Sequence, residues 1–242
     1  MCTVSFVPLD DTNFILTSNR DETVKRGLAS SPQRLQHNGI DITCPLDPFA
    51  SGSWIAASGN GRVSCLLNGA FKKHKRQLPY RQSRGIVVLD SLTFPSSEAF
   101  ASNYNFDNIE PFTIVMVQKN EALALYELRW DGQKSTFRKL DEKEFHLWSS
   151  VTLYTDDLIV EKENLFKSQL DQLSEFSLSE LMNIHKTHFL YEDWVKPPVR
   201  VEEVATLSVT SVQSSASSFT MYYRDLVRKD LPLTTVEIGL GR

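Results

Sequence analysis

The chain is poor in cysteine, and the three it has suit no framework. Cys2, Cys44 and Cys65 are odd in number and far apart, with no CxxC and no Cys/His ligand spacing. Neither a disulfide scaffold nor a zinc site is expected, and no metal or other cofactor is implied. Long apolar runs are missing too. The most apolar stretches are strand-length, short of the ~20 residues a membrane-spanning helix needs. No basic-then-apolar leader opens the sequence, because a charged turn arrives at Asp10. Excess positive charge is also absent. A net charge of −4 over 242 residues gives no general case for nucleic-acid or membrane binding. These absences point to a soluble, reducing compartment, the cytoplasm. No repeat or linker is visible, so residues 1–242 read as one domain. What remains is ordinary for a globular protein, 41% hydrophobic and 23% charged, and long enough for a sizeable core.

The first 22 residues carry the densest signal. Thr3 to Leu9 alternates Val, Phe and Val with Thr, Ser and Pro, the period of a strand. Asp10 to Asn13 is a turn cluster, and Phe14 to Ser18 is a second strand, so the two pair antiparallel. With Asp11 and Thr12 as the turn's centre, Leu9 faces Phe14, Val7 faces Leu16 and Ser5 faces Ser18. That register carries Cys2 opposite Asp21, within the run Asn19-Arg20-Asp21-Glu22. A slip of one residue would flip the faces and bring Arg20 or Glu22 there instead.

A cysteine at position two has a chemical use. Methionine before a small residue is usually trimmed, which would give Cys2 a free α-amine of unperturbed pKa about 7.7–8.0. That amine can take the thiol proton, so nucleophile and base belong to one residue. A neighbouring Arg favours thiolate, and a carboxylate can orient the ammonium. The plain alternative is a small, half-buried thiol at a strand start beside solvated charges.

The residues that follow add a resemblance. Met1-Cys2, a hairpin and Asn19-Arg20-Asp21-Glu22 resemble the NRDE family, also called the transport and Golgi organisation protein 2 homologues. The likeness continues through Gly52-Ser53-Trp54-Ile55-Ala56-Ala57-Ser58, Leu66-Leu67-Asn68 and Ser83-Arg84-Gly85, over roughly the first ninety residues. The family is similar to N-terminal nucleophile hydrolases. The resemblance therefore implies an α+β fold, a four-layer αββα sandwich of two antiparallel sheets flanked by helices. It implies two alternative functions. One is an amidohydrolase cleaving a non-peptide C–N bond of a small acylated substrate. There Cys2 is the nucleophile, Asn68 steadies the oxyanion, and Arg20 and Asp21 position the amine and substrate, with Asn19, Glu22 and Arg84 in substrate binding. The other is a non-catalytic carrier or trafficking protein for haem or for lipid and acyl-CoA species. The chain departs from the family where Ser149-Ser150 stands in place of Ser-Asn, and where Val204-Ala205-Thr206 lacks the usual Arg. Ser18 stands where hydrolases of the superfamily often carry an Arg.

The rest of the chain supplies the layers. Residues 23–38 read as a loop, followed by a short strand around Ile40 and Ile42. Ser53 to Ser58 and Arg62 to Asn68 flank Gly59-Asn60-Gly61, the strongest hairpin signal in the sequence. Trp54 reads as a core anchor. Phe71 to Arg84 is a basic, solvated loop, or else a mouth that attracts an anionic substrate. Gly85 to Phe94 fits helix or buried strand, and the resemblance selects helix. Pro95 to Tyr104 opens as a helix. Phe112 to Gln118, Ala122 to Trp130 and Lys134 to Leu140 form a strand meander, with a further strand near Phe145 to Val151. A helix at 157–173 carries Leu158, Leu165, Phe166 and Leu170, and Ser177-Leu178-Ser179-Glu180 opens another as a capping box. His185 and His188 on that helix read as surface residues rather than a metal pair. A turn-rich stretch over 191–200 precedes a last hairpin, 205–212 with 219–224, and the tail from Asp225 carries no clear site signal.

Overall fold

A computed structural model describes residues 3–173, 176–187 and 204–241. Cys2, His188 and the turn-rich stretch over 191–200 lie outside the described residues.

The opening hairpin pairs β1 (Thr3–Pro8) with β2 (Phe14–Thr23). Its register differs by one residue from the sequence expectation: Val4 faces Ser18, Phe6 faces Leu16, and Val7 faces Ile15. Asp10 is the cause. Its carboxylate accepts bonds from Thr12 N (2.7 Å), Thr12 Oγ1 (3.0 Å), Asn13 N (2.8 Å) and Asn13 Nδ2 (2.7 Å). Leu9 N donates to Asn13 O at 2.8 Å, so the loop closes over residues 9–13 rather than around a central pair. Because strand faces alternate, this slip decides which residues meet which layer. Val4, Phe6, Phe14 and Leu16 enter the large core, while Val7 and Ile15 turn to a second, smaller one.

The first sheet runs in the order β10 (His146–Ser149), β1, β2, β11 (Val204–Ser214), β12 (Ser218–Asp225) and β13 (Thr234–Gly239). The second is a meander of β3 (Gln33–His37), β4 (Ile40–Cys44), β5 (Ile55–Ser58), β6 (Arg62–Asn68), β7 (Phe112–Lys119), β8 (Leu123–Trp130) and β9 (Ser135–Leu140). All pairings among the described residues are antiparallel. The β5–β6 hairpin closes with three residues, Ser58 facing Arg62, and Gly61 takes the positive φ of 77°. A Cβ there would lie 2.3 Å from Lys119 O, so only glycine fits.

The helices form the outer layers. Against the second sheet lie α1 (Arg84–Ser91) and α2 (Ser97–Asn103), with Ser91 Oγ donating to Ser64 Oγ of β6 at 2.8 Å. On the outer face of the first sheet, α3 (Asp156–Asp171) and α4 (Leu178–Thr187) cover Val7 and Ile15 with Phe166, Leu170, Leu181 and Ile184. The capping box of α4 is formed: Ser177 Oγ donates to Glu180 Oε2 (2.7 Å) and accepts from Glu180 N (3.2 Å). Two layers of helix thus enclose two packed antiparallel sheets, the four-layer αββα sandwich of an α+β fold.

Two sequence expectations are corrected here. Residues 33–37 are strand β3, not loop. His185 of α4 is not at the surface but fully buried against Ser5 of β1 and Asn19 of β2.

Candidate functional site

The residues Asn19 to Glu22 form one run of β2, and its pleat sends them to opposite sides. Arg20 is buried toward the second sheet. Its Nη2 donates to Asp47 Oδ2 at 2.8 Å, and its Cζ lies 5.3 Å from the centre of the Trp54 ring. Asp21 is buried on the other face, where its Oδ1 accepts from Thr206 Oγ1 of β11 at 2.6 Å. Asn19 shares that face and is bonded to His185 of α4. Glu22, half-buried, lies 3.6 Å from Arg26 Nε. Opposite Arg20 and Asp21 the ladder shifts between Thr206 and Ser208, a bulge of the kind that re-aims side chains beside sites.

A ring of contacts encloses the start of β1. Thr3 pairs with Ser149. The next residue, Ser150, donates from Oγ to Asn68 O at 2.7 Å, which ties in the end of β6. Gly69 N donates to Pro111 O (3.0 Å), and so does Arg84 Nη1 (3.2 Å). Beside Arg84, Ser83 Oγ donates to Ala50 O (3.3 Å). The same loop carries Asp47, which returns the ring to Arg20 on β2. Glycine permits the closest approach on this circuit. A Cβ on Gly52 would stand 2.5 Å from Gly85 C, and Ser53 N donates to Gly85 O at 3.2 Å. The Gly-Ser-Trp and Ser-Arg-Gly segments are therefore two sides of one backbone contact.

The charges on this ring are largely offset. Burial raises the Asp47 carboxyl, but hydrogen bonds from Arg20 and Arg26 outweigh it and hold it below its usual value. Glu110 gathers Arg84 (3.3 Å), His74 (3.3 Å) and Arg76 (3.6 Å). Burial, more than any neighbour, lowers the Arg84 pKa. Lys72, Lys73 and Lys75 of the same loop stay at the surface or close to it. The two described thiols are set apart from this chemistry. Burial pushes both Cys44 and Cys65 up to about 12. Among the described residues, no three His, Cys, Asp or Glu side chains gather to hold a metal.

The ring of contacts links Arg20 to the segments that carry Arg84 and Asn68, whereas Asp21 and Asn19 lie on the other face of β2, Asn19 against α4. Asn68 is half-buried at the last position of β6. Sequence reasoning missed Asp47, Ser150 and Thr206. Asp47 sits between two prolines and reads as turn. Ser150 and Thr206 fall at the places where the chain departs from the family pattern, and that mismatch was their only signal.

Comparison with known proteins agrees with this architecture. The C. elegans ortholog of N-acylethanolamine-hydrolyzing acid amidase superposes with a TM-score of 0.57 at 13% identity, covering 87% of this chain and 92% of its own. A variant of conjugated bile acid hydrolase from Clostridium perfringens gives 0.54 at 11%, covering 98% and 92%. Penicillin V acylase from Agrobacterium tumefaciens gives 0.50 at 8%, covering 100% and 92%. The fold is that of N-terminal nucleophile amidases and acylases. No curated protein sequence matches the chain. No helix among the described residues is long and apolar enough to cross a membrane. The family model for Transport and Golgi organisation 2 matches residues 1–222, and the chain belongs to that family.

Proposed function

We propose that the chain is an amidohydrolase that cleaves a non-peptide C–N bond of a small acylated substrate, with Cys2 as nucleophile. The observation that carries this reading is the ring of contacts around the start of β1. Thr3 belongs to that ring, and Cys2 is one peptide unit, about 3.8 Å between Cα atoms, from it. After loss of Met1, the Cys2 thiol gives its proton to its own α-amine and attacks the acyl carbonyl. The C–S bond forms, the C–N bond breaks, and the departing amine takes the proton. Water then hydrolyses the thioester. Asn68 donates to the oxyanion, and Asp21 orients the α-amine. Arg20 Nη1 and Trp54 Nε1 are buried N–H donors with no hydrogen-bond partner among the described residues, so they suit a substrate oxygen. Glu22 and Arg84 complete the substrate-binding set, Arg84 at the foot of the basic loop; Asn19, which the resemblance would add, is engaged with His185 instead. The names of the structural neighbours, an N-acylethanolamine amidase, a conjugated bile acid hydrolase and a penicillin V acylase, support the same reaction class.

The test is intact mass after incubation with a β-lactam or other electrophilic amide. A single adduct is expected on Cys2, absent from Cys2→Ala and from protein that retains Met1. Equal labelling of Cys44 or Cys65 would undo the reading. Absence of any adduct, together with haem or acyl-CoA binding unchanged in Cys2→Ser, would favour a carrier instead.

A further inference from the structure

The outer face of the β1–β2 pair holds a second polar cluster that the proposed reaction does not use. Thr3, Ser5 and Val7 alternate along this face. Val7 meets its helices through apolar contact alone, with Ile15, Phe166 and Leu181 in the same small core. Thr3 and Ser5 each meet a polar side chain from a different helix. On α3, the buried stripe is Lys162, Phe166 and Leu170, one turn apart. Lys162 is 1% exposed. Its Nζ donates to Thr3 Oγ1 at 2.9 Å and lies 3.6 Å from the centre of the Tyr154 ring. On α4, His185 Nε2 lies 2.6 Å from Ser5 Oγ, and Nδ1 lies 2.6 Å from Asn19 Oδ1. Asn19 Nδ2 donates to His185 O at 2.9 Å. That bond orients the amide with Oδ1 as acceptor, so His185 Nδ1 carries a proton and donates it.

Adhesion does not call for these groups. Burying an ammonium costs several kcal/mol before any pairing is counted, and apolar residues of similar volume commonly hold an interface as well. Val7 and Ile15 do so further along the same strands. Hydrogen bonds give what apolar contact does not, a fixed direction and register for the strand they grip.

We propose that Lys162 and His185 are positioning residues for Cys2. Lys162 from α3 and His185 from α4 grip Thr3 and Ser5, and Asn19 locks His185 to the neighbouring strand. The clamp fixes the first residues of β1 against Arg20 and Asp21 of β2, and with them the attachment point of the nucleophile. Asn19 then belongs to the clamp and not to the substrate. This inference rests on the nucleophile reading above.

The experiment is the saturation kinetics of Cys2 acylation by the same electrophilic amide, in wild type and in Lys162→Met, His185→Gln and Thr3→Val. Lys162→Met keeps the stem and removes the ammonium, and Thr3→Val keeps the volume and removes the acceptor. The expected result is a fall in the maximal acylation rate of about 10–100-fold, as for supporting residues around other reacting centres. The half-saturating concentration should change less than about threefold, and Lys162→Arg should recover part of the rate. If His185→Gln does not fold, the Lys162 and Thr3 variants decide. A wild-type rate in Lys162→Met and Thr3→Val, or a change confined to half-saturation, would overturn the clamp while leaving the nucleophile reading intact. A wild type that takes no label at Cys2 would overturn both.

Discussion

Asn19, Arg20, Asp21 and Glu22 are consecutive, yet each has its own partner, because a strand alternates its faces and ends in solvent. Arg20 depends most on a single neighbour. It is 2% exposed, and Asp47 is the carboxylate that offsets it. Asp47→Ala should cost about 3–5 kcal/mol in denaturant unfolding, the range for leaving one buried charge unpaired. The sign of its pH dependence follows. The folded Asp47 pKa lies below its unfolded value, so its contribution is complete above the ordinary carboxylate range and fades as pH falls through the folded value. Acid titration of stability should therefore be shallower in Asp47→Ala than in wild type. The two described thiols give a second check. With Cys44 and Cys65 raised to about 12, a thiol reagent at neutral pH should modify neither in the folded protein and both after unfolding. The placement of Arg20 and Asp21 at the end of β2 was open to sequence reasoning because four polar residues closing a strand are unusual. Asp47 was not, since nothing local to a Pro-flanked turn names a partner 27 residues away.

At the scale of elements, the site depends on two backbones touching. Gly52→Ala would force a Cβ to within 2.5 Å of the carbonyl carbon of Gly85, at the start of α1. Backbone cannot rotate aside, so the substitution should destabilise by about 1–3 kcal/mol, measured in urea, and move Ser83 and Arg84 with the helix end. Gly39→Ala is the control, since an added Cβ meets nothing within 4 Å, although its φ of 81° still carries strain. The strongly patterned strands and helices were legible in the sequence. The meander, the two hairpins and the capping box of α4 all lie where their periodicity and turn residues put them. What the pattern missed were edges. β3 and β13 are edge strands of the two sheets; β3 has Leu35 as its one apolar residue, and β13 alternates only through Val236 and Ile238, too short a pattern to read as a strand from sequence. The opening register failed for a different reason. It was set by one carboxylate gathering four donors, a choice the hydrophobic alternation alone leaves open. His185 was misread because two histidines three apart look solvated until a neighbouring strand offers Asn19 and Ser5.

For the whole molecule, the question is how two sheets are held in one relation. Glu127 of β8 is 2% exposed and accepts bonds from Arg129 Nε (2.9 Å) and Arg138 Nε (2.8 Å) within its own sheet. It also accepts from Trp148 Nε1 (2.8 Å) of β10 in the other sheet. Burial raises its carboxyl, and bonds from Arg129, Arg138 and Trp148 more than offset that. Glu127→Gln turns an amide N–H₂ toward these donors and should lower stability by about 2–3 kcal/mol, read as a fall in Tm. The loss should shrink in acid, where wild-type Glu127 is itself protonated. The packed sheets also fix the surroundings of the start of β1, with Thr3 paired to Ser149 and Ser150 bonded to Asn68 O. The amidohydrolase account therefore turns on whether the chain presents a nucleophile there with its own base. Its central claim is met most directly by N-terminal sequencing of the protein isolated from its own host. The account predicts that sequencing begins at Cys2, with Met1 gone and the α-amine free. A chain that still begins at Met1, or whose Cys2 amine is blocked, would contradict it.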